Sequence, residues 1–378
     1  AFELAKQTQL QICAVESYLE KVKAARRALN EAGLYGVRVV IEHCELSQVP
    51  FSDYFANLVV SETAITSGQM PNGVAEAFRM LKPLGGKICI GQPSVAEATL
   101  TTLSQAALQD WHAEAGFHGA TVSDKGGLWL DFERGSLPGA GSWTHQYAET
   151  GNTTCSDDEL VRCPLGVLWF GEPGPNHMPD RHRRAAAPLS TNGRMFVLGE
   201  GTANRIGIGE NTVRAYDAYN GLKLWERRIR GALRVSVTHD SGNSAVNDDS
   251  MFVTVGDGCV QLDAATGETV RTHKVPLASD GKPRKWGYIA VDGDILYGPR
   301  TERGRTADCV FAIDLESGRQ LWKHDAAGIS QGSIAISTGR FHFAASAVTE
   351  EQRKEAFEEQ TREVHRLSDE ERAALLKK

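Results

Sequence analysis

Polar residues in the first third of the chain stand where a folded protein can bind a ligand. Glu16 ends the apolar run Leu10–Val15 and precedes a helical pattern. A carboxylate at that point can accept hydrogen bonds from both hydroxyls of a ribose, and it can equally serve as a cap that faces the helix dipole. Ser61 and Glu62 follow an apolar segment that ends at Val60. Open α/β sheets bind ligands at the carboxyl ends of their strands, so the sequence indicates a site here.

A second group of polar residues lies in the segment 176–184. His177, Asp180 and His182 are residue types that can bind a metal, and the arginines between and after them can hold an anion. A polar loop between two strands explains the same residues, and this interpretation is favoured. We therefore assign no metal site from the sequence.

The elements that must position the first group alternate between strand and helix over residues 1–134. The segment Tyr18–Ala32 places apolar residues on one helical face and is ended by Gly33, and Val37–Ile41 has the composition of the next strand. A long helix is predicted over Val95–Ala115. This alternation is typical of an α/β fold with a mainly parallel sheet.

The same region resembles the class I S-adenosylmethionine (SAM) methyltransferases, which have an α/β Rossmann-like fold. The resemblance covers roughly residues 1–134. It implies that Glu16 binds the ribose of SAM, that Glu45 and Leu46 hold the adenine, and that Ser61 also lies at the cofactor. The acceptor of the methyl group and the catalytic residues are not readable. The segments that carry the match are Val15–Glu16, Glu45–Leu46, Val49–Phe51, Asn57–Ser61 and Arg79–Lys87.

The first strand and the Gly-rich loop of that family would precede Ala1. We therefore expect the chain to be a fragment of a larger protein. The loop would position the methyl-bearing end of SAM, and positioning decides the rate of group transfer. The chain as given is thus expected to methylate inefficiently.

Three short repeats dominate the second half of the chain. Each is an apolar strand followed by Asp, three residues, Gly and a second strand, with Asp217, Asp263 and Asp314 as the first turn residues. The Asp recurs after 46 and then 51 residues, a period typical of a propeller or a solenoid. Asp favours the start of a tight turn, and Gly at its end adopts a positive φ.

These repeats resemble those of quinoprotein-type β-propellers, the family of pyrroloquinoline quinone (PQQ) dehydrogenases and of non-catalytic envelope scaffolds. The resemblance covers roughly residues 139–346 and predicts about four blades of a partial all-β propeller. The segment Leu165–Phe170 resembles the last strand of an earlier blade. Trp169, Trp225 and Trp322 recur at equivalent positions, which indicates packing between blades. PQQ stays a cofactor option without identifiable ligands.

Composition limits the partners of the chain. Its net charge of -7 argues against a broad nucleic-acid surface. No apolar run approaches the ~18 residues that a transmembrane helix needs. Cys155 and Cys163 can form a bridge in an oxidising compartment, and two free thiols are the alternative.

Residues 349–378 form a charged tail almost free of Gly and Pro. Ser368 with Glu371 fits a capping box, in which a serine and an acid three residues later cap a helix. We predict a helical C-terminal tail that lies in solvent.

The sequence thus predicts a multidomain chain with a methyltransferase-like domain, a partial propeller and a helical tail. The leading function is a SAM-dependent methyltransferase module joined to a PQQ-type propeller. The alternative is a non-catalytic scaffold or a remnant of a PQQ-dependent dehydrogenase. A methyl acceptor and a protein partner on the propeller face are the expected partners, and the propeller favours a location in the periplasm or cell envelope.

Overall fold

The structure is a computed structural model, and it describes residues 1–94, 101–114, 118–171, 186–200, 211–234, 241–302 and 305–371. The chain divides into two compact units. The first consists of Ala1–Ala140, Leu160–Phe170 and Tyr219–Gly221, and the second of Gly141–Glu159, Gly171–Ala218 and Leu222–Lys378.

The first unit alternates helices and strands, as predicted. Its elements are α1 (Phe2–Gln7), β1 (Ile12–Glu16), α2 (Leu19–Glu31), β2 (Val39–His43), β3 (Leu58–Val60), α3 (Glu62–Ser67), α4 (Val74–Met80), β4 (Lys87–Pro93), α5 (Gln105–Glu114), β5 (Thr121–Ser123) and β6 (Gly127–Glu133).

The strands of this unit form two sheets instead of one. Strands β1 and β2 pair in parallel, with Ile12 opposite Val39. The second sheet has the order β3-β4-β6-β5, in which β3 and β4 are parallel and the other pairs are antiparallel. The predicted α/β class is confirmed, with the difference that the parallel strands are divided between two sheets.

Each sheet has its own apolar core. Val22 and Leu29 of α2 are buried with Val39 and Ile41 of β2, because apolar residues three or four apart share one face of a helix. The other core is built by β4, β6 and the helices α3, α4 and α5, and its centre includes Ile88, Ile90, Leu108 and Leu130.

Two sequence predictions differ from the structure. Of the helix predicted over Val95–Ala115, residues 95–100 and 115 lie outside the described residues, 101–104 are not helical, and Gln105–Glu114 form the helix. The hydroxyl of Ser104 accepts a hydrogen bond from Ala107 N and caps the helix at this point. The segment Leu165–Phe170 is not a strand. A strand needs a neighbour with which to form a ladder, and apolar sequence alone does not supply one. Trp169 nevertheless packs on Gly221, a residue of the same unit.

The second unit is almost entirely β-structure. Its elements are β7 (Leu189–Thr191), β8 (Arg194–Glu200), β9 (Asn211–Asp217), β10 (Lys223–Arg228), β11 (Ser244–Val246), β12 (Ser250–Val255), β13 (Gly258–Asp263), β14 (Thr269–Lys274), β15 (Lys285–Trp286), β16 (Ala290–Asp292), β17 (Ile295–Thr301), β18 (Thr306–Asp314), β19 (Gln320–Ser330), β20 (Ala335–Ser337), β21 (Arg340–His342) and α6 (Glu350–Arg366).

These strands form three successive antiparallel sheets and a hairpin. Strands β7–β10 are blade 1, β11–β14 are blade 2, β15–β19 are blade 3, and β20 and β21 are the final hairpin. Four-stranded meanders that follow one another along the chain are the blades of a propeller. The described part of the chain therefore contains three complete blades, where the sequence predicts about four.

Apolar cores join consecutive blades. Phe196 of blade 1 and Met251 of blade 2 belong to one core, and Phe252 and Phe311 join blades 2 and 3 in another. Trp322 packs against Phe341 of the final hairpin, with ring centroids 5.7 Å apart. The blades are thus stacked through the faces of their sheets.

The three repeat turns have the predicted geometry. Gly221, Gly267 and Gly318 have φ values of 73°, 73° and 72°. In the last two turns the Gly amide donates to the carbonyl of the first Asp at 2.8 Å. The Asp-x-x-x-Gly repeat is therefore a structural repeat, and its equivalence across the three blades is confirmed.

The predicted tail is helical where the structure describes it. Helix α6 is exposed and rich in charged residues. Beyond it, Ser368 N donates to Glu371 Oε2 at 2.8 Å and Glu371 N donates to Ser368 Oγ at 3.3 Å. These two reciprocal bonds form the predicted capping box.

Candidate functional site

Glu16 lies at the carboxyl end of β1, where its carboxylate is partly exposed. Oε1 accepts a hydrogen bond from Tyr18 N at 2.9 Å, and Oε2 lies 3.7 Å from Lys21 Nζ. The first bond supports the turn that leads into α2, whose N-cap residue is Tyr18. A carboxylate has about four acceptor positions, so these contacts leave capacity for the hydroxyls of a ribose.

Glu45 and Leu46 follow the end of β2. Glu45 is exposed and Leu46 is partly buried, in a turn closed by a hydrogen bond from Gln48 N to Glu45 O at 3.1 Å. The carbonyl of Leu46 approaches Gly73 so closely that a side chain at Gly73 would collide with it. Gly73 has a φ of 83°, which favours glycine independently.

The structure brings Glu16 and the Glu45–Leu46 turn to the same end of one parallel pair. Glu16 stands opposite His43, the last residue of β2, and Glu45 follows two residues later. His43 Nε2 lies 3.1 Å from Ser17 O, which ties the two strand ends together. The carboxylate of Glu16 and the Glu45–Leu46 turn therefore share one edge of the sheet.

Ser61 belongs to the other sheet of the unit. It is buried at the carboxyl end of β3, and its hydroxyl accepts a hydrogen bond from Ala64 N at 3.2 Å. This is the N-cap of α3. The structure thus gives Ser61 a local role, and its predicted role at the cofactor stays a prediction.

An ion cluster beside this region has a positioning role that the sequence did not reveal. Arg79 donates to both carboxylate oxygens of Glu76 at 2.8 Å, to Asp53 Oδ1 at 2.8 Å and to Phe51 O at 2.8 Å. The hydrogen bonds from Arg79 lower the pKa of Glu76 to about 2, assisted by one from Val49 N. The cluster therefore fixes the segment that follows the Glu45–Leu46 turn, because one guanidinium holds it at several points.

Several thiols of the chain are poor nucleophiles. Burial raises the pKa of Cys89 to about 11, with a hydrogen bond to Asp131 acting in the same direction. Burial also raises the pKa of Cys309 to about 11.

Cys155 and Cys163 are both exposed free thiols, so the bridge that the sequence allows does not form.

Among its described residues, the second unit has no cluster of metal-binding side chains. Across the described ranges, no group of three or more His, Cys, Asp or Glu residues could hold a metal ion. His177, Asp180 and His182 lie outside the described residues. Trp225 and Trp322 pack against the following blade and hairpin, as the sequence indicates, and PQQ remains without identified ligands.

Blade 3 contains a charged cluster whose geometry is structural. Arg300 is buried and bridges its strands, donating to Asp308 Oδ1 at 2.9 Å, to Asp325 Oδ1 at 2.9 Å and to Leu277 O at 2.7 Å. These bonds give partners to the buried guanidinium of Arg300, which would otherwise be desolvated without compensation. The cluster therefore stabilises blade 3.

Comparison with known proteins finds one matching family model and several similar solved structures. The family model of outer membrane protein assembly factor BamB matches residues 181–365, just under half of the chain. This match confirms the resemblance of the repeats to PQQ-type propellers. A search of the curated proteins finds no match.

Solved structures similar to the chain fall into two groups. A SAM-dependent methyltransferase from Aquifex aeolicus is 19% identical, with 32% of this chain and 67% of that chain covered and a TM-score of 0.27. A quinohemoprotein alcohol dehydrogenase from Pseudomonas putida is 18% identical, with 49% and 26% covered and a TM-score of 0.34. BamB from Moraxella catarrhalis is 14% identical, with 45% and 57% covered and a TM-score of 0.24.

The chain thus spans about a quarter of the dehydrogenase and just over half of BamB. The methyltransferase match agrees with the resemblance of the first unit to that family and carries no argument about its chemistry. Among the helices that the structure describes, none is long and apolar enough to cross a membrane.

Proposed function

We propose that the first unit is a SAM-dependent methyltransferase module of unknown acceptor, joined in one chain to a PQQ-type β-propeller. The observation that carries the proposal is the shared edge of β1 and β2. There Glu16 stands opposite His43, and the Glu45–Leu46 turn follows. A parallel α/β sheet places its ligands at this kind of edge.

The residues at the edge suit the adenosine part of SAM. Glu16 keeps free acceptor positions for the two ribose hydroxyls, Glu45 can accept from the exocyclic amine of adenine, and Leu46 offers an apolar contact to the base. When bound, SAM supplies an electrophilic methyl group. The part of the chain described here would bind and orient it, and the groups that receive the methyl remain unassigned.

Calorimetric titration with SAM tests this assignment. We expect Glu16→Ala to weaken binding about tenfold relative to the wild-type chain, because two charge-assisted hydrogen bonds to the ribose are lost. Glu20→Ala is the matched control. Glu20 is an exposed acid of α2 whose contact is an ion pair with Lys23 at 2.9 Å.

The informative quantity is the ratio of the dissociation constants for SAM between the variants and the wild-type chain, since the absolute affinity is expected to be low. Equal affinity for SAM in the wild type and in Glu16→Ala would show that Glu16 only supports the turn that leads into α2. Equal losses in Glu16→Ala and Glu20→Ala would show that the effect is one of net charge.

A second candidate function is that of a non-catalytic propeller scaffold. The match to the assembly factor BamB over residues 181–365 favours it over a remnant of a PQQ dehydrogenase. A scaffold has no need of the quinone. We therefore expect no saturable binding when PQQ is titrated into the protein and binding is monitored by quenching of Trp fluorescence. Stoichiometric binding would favour the dehydrogenase instead.

We also propose a cell-envelope location, with a protein partner on the propeller face. The supporting observation is the family to which the propeller is similar. Because SAM is a cytoplasmic cofactor, the two resemblances favour different compartments. Fractionation of cells that express the chain decides between them, and recovery in the cytoplasm would contradict the envelope location.

A further inference from the structure

One continuous stretch, Trp143–Asn152, contacts an inner strand of every blade in the second unit, namely β7 in blade 1, β11 in blade 2 and β16 in blade 3. We name it the axial segment. On blade 1, Trp143 and Ser190 exchange two backbone hydrogen bonds of 2.8 Å each. On blade 2, Val246 N donates to Thr144 O at 3.0 Å. The segment thus pairs antiparallel with β7 at the inner edge of blade 1 and continues to β11 of blade 2.

The same stretch reaches blade 3 and the final hairpin. Val291 N donates to the ring nitrogen Nε2 of His145 at 3.0 Å. Ile336 N donates to Thr150 O at 2.9 Å, and the Thr150 hydroxyl donates back to Ile336 O at 3.1 Å. One backbone amide from each of the strands β7, β11, β16 and β20 therefore donates to the segment.

These four strands are the inner strands of the blades and of the final hairpin. Strand β11 contacts both β7 and β16, so the inner strands of neighbouring blades meet. Every residue of β11 is buried, whereas the last strand of the same blade, β14, alternates with exposed residues. The free edges of such strands surround the central channel of a propeller.

The segment is held in a conformation that needs support from its surroundings. Ala148 has a φ of 80° and is buried, and Asn152 has a φ of 58°. Left-handed backbone in residues other than glycine costs of order 1 kcal/mol and persists where neighbours fix it. The support is visible, since Ala148 O accepts from both Thr144 N and His145 N, and Asn152 Nδ2 donates to Ile334 O at 2.6 Å.

We propose that the axial segment is a built-in clasp. It closes the inner edges of blades 1 to 3 and of the final hairpin, and it couples them into one cooperative unit. It also takes the hydrogen-bonding edge that a ligand in the central channel would use. This inference is independent of the proposed methyltransferase activity, because every contact that supports it lies in the second unit.

Coupling is the property that distinguishes a clasp from four separate contacts. If the segment opens as a whole, the amides of Ser190, Val246, Val291 and Ile336 all lose their acceptors in one event. If each contact is local, each amide is exposed by its own fluctuation. Native-state hydrogen exchange measures this difference, because it reports an opening free energy for each amide.

The experiment measures exchange at these four amides in the full chain at low denaturant concentrations. We expect a common opening free energy and a common denaturant dependence in the wild type. In His145→Ala we expect all four amides to exchange about tenfold faster, because Val291 N is left buried without its acceptor. His145→Gln keeps an acceptor at this position and should retain most of the protection.

Asn247→Ala is the matched control. Asn247 Oδ1 accepts from Asp249 N and Ser250 N in the turn of blade 2, so its removal should accelerate exchange in that blade alone. Acceleration in His145→Ala that is confined to Val291 would overturn the proposal. Different opening free energies for Ser190 and Ile336 in the wild type would also overturn it, and that result does not depend on the folding of any variant.

Discussion

The two units of this chain differ in how their sheet edges are closed. In the second unit, each inner strand donates a backbone hydrogen bond to the axial segment. In the first unit, β3 is the edge of its sheet in the described structure, and Leu58 and Val60 on it are 42% and 45% exposed. The inner strands of the second unit are therefore hydrogen-bonded within that unit, whereas the first unit has an edge strand whose apolar side chains are exposed.

The recurrent residues of the second unit, such as Gly267 and Trp225, serve packing. The candidate residues of the first unit serve as local supports, Glu16 for α2 and Ser61 for α3. A chemical role for them depends on a ligand that uses the remaining acceptors. If internal contacts fix the second unit more than the first, substitutions that break such contacts should cost more stability in the second unit than in the first.

The largest effect is expected from Gly267→Ala. Gly267 has a φ of 73°, and a Cβ there would lie 2.6 Å from Cδ2 of Trp225. The left-handed backbone costs about 1–2 kcal/mol, and displacing the ring costs about as much again or more. We expect the free energy of unfolding of the second unit to fall by about 4 kcal/mol, measured by denaturant titration.

Gly281→Ala is the control for that variant. Gly281 has a φ of 67°, and nothing lies within 4 Å of its Cβ position. Only the backbone cost remains, so we expect a loss of about 1 kcal/mol. Equal losses in the two variants would show that the contact with Trp225 contributes nothing.

The next effect concerns acid stability and His145. Burial lowers the pKa of His145 to about 4 from its ordinary 6.5, against the smaller opposing influence of Glu149. Between these pH values the unfolded chain binds a proton that the folded chain does not. Stability therefore falls as the pH drops from about 6.5 to about 4, by about 3 kcal/mol for this group, and levels off below.

His145→Gln isolates this contribution. The variant keeps an acceptor for Val291 N and does not titrate, so its stability should decline less over the same pH range. Burial also lowers the pKa of His273 to about 4, and the comparison between wild type and variant cancels that residue. Parallel stability curves for the two proteins would contradict the assignment.

A smaller effect is expected in the first unit from Arg79→Ala. The variant loses the hydrogen bonds to Glu76, Asp53 and Phe51 O, and the partial exposure of the site limits the cost to about 2 kcal/mol. The pKa of Glu76 should rise from about 2 toward its ordinary 4.5, because the bond from Arg79 is the main cause of its lowering. NMR titration of the carboxyl measures this shift.

Lys23→Ala is the control in the same unit. Its ion pair with Glu20 is exposed, and such pairs contribute little. We expect stability to change by less than about 0.5 kcal/mol. A Glu76 pKa that stays near 2 in Arg79→Ala would show that the hydrogen bond from Val49 N is sufficient.

The turns of the propeller could be predicted from the sequence because their determinants are local. Asp and Gly four residues apart define the turn whatever surrounds it, and all three glycines have the expected φ. The segment Leu165–Phe170 shows the limit of the same reasoning. Its composition is that of a strand, but a ladder also needs a partner, and composition does not reveal one.

The candidate site could be located from the sequence, but its roles could not. Glu16 was placed correctly at the end of a strand, and the sequence left its capping and ligand roles open. The sequence does not reveal the axial segment, because its hydrogen-bond partners on the inner strands lie 47 to 186 residues further along the chain and no periodic pattern marks it. Pairing over such distances depends on the assembled fold, which local propensity does not encode.

The smallest effect, and the sharpest test of a site residue, comes from Ser61. Its hydroxyl accepts from Ala64 N, and the loss of such a cap costs about 1 kcal/mol. We expect Ser61→Ala to destabilise the first unit by this amount, and Ser61→Thr to restore most of it because threonine also caps. Ser67→Ala, in which a hydroxyl donor to Thr63 O is lost from the same helix, should change stability less.

The SAM titration then separates the two roles of Ser61. A cap alone would leave the affinity of Ser61→Ala for SAM unchanged once the fraction of folded protein is accounted for. If Ser61 contacts the cofactor, Ser61→Ala would also weaken the affinity for SAM, because that contact is lost. Because Ser61 lies in the sheet of β3 and Glu16 in that of β1, additive losses in the double variant Glu16→Ala/Ser61→Ala would indicate independent contacts to one ligand. A loss from Glu16→Ala alone would confine the site to the β1–β2 edge.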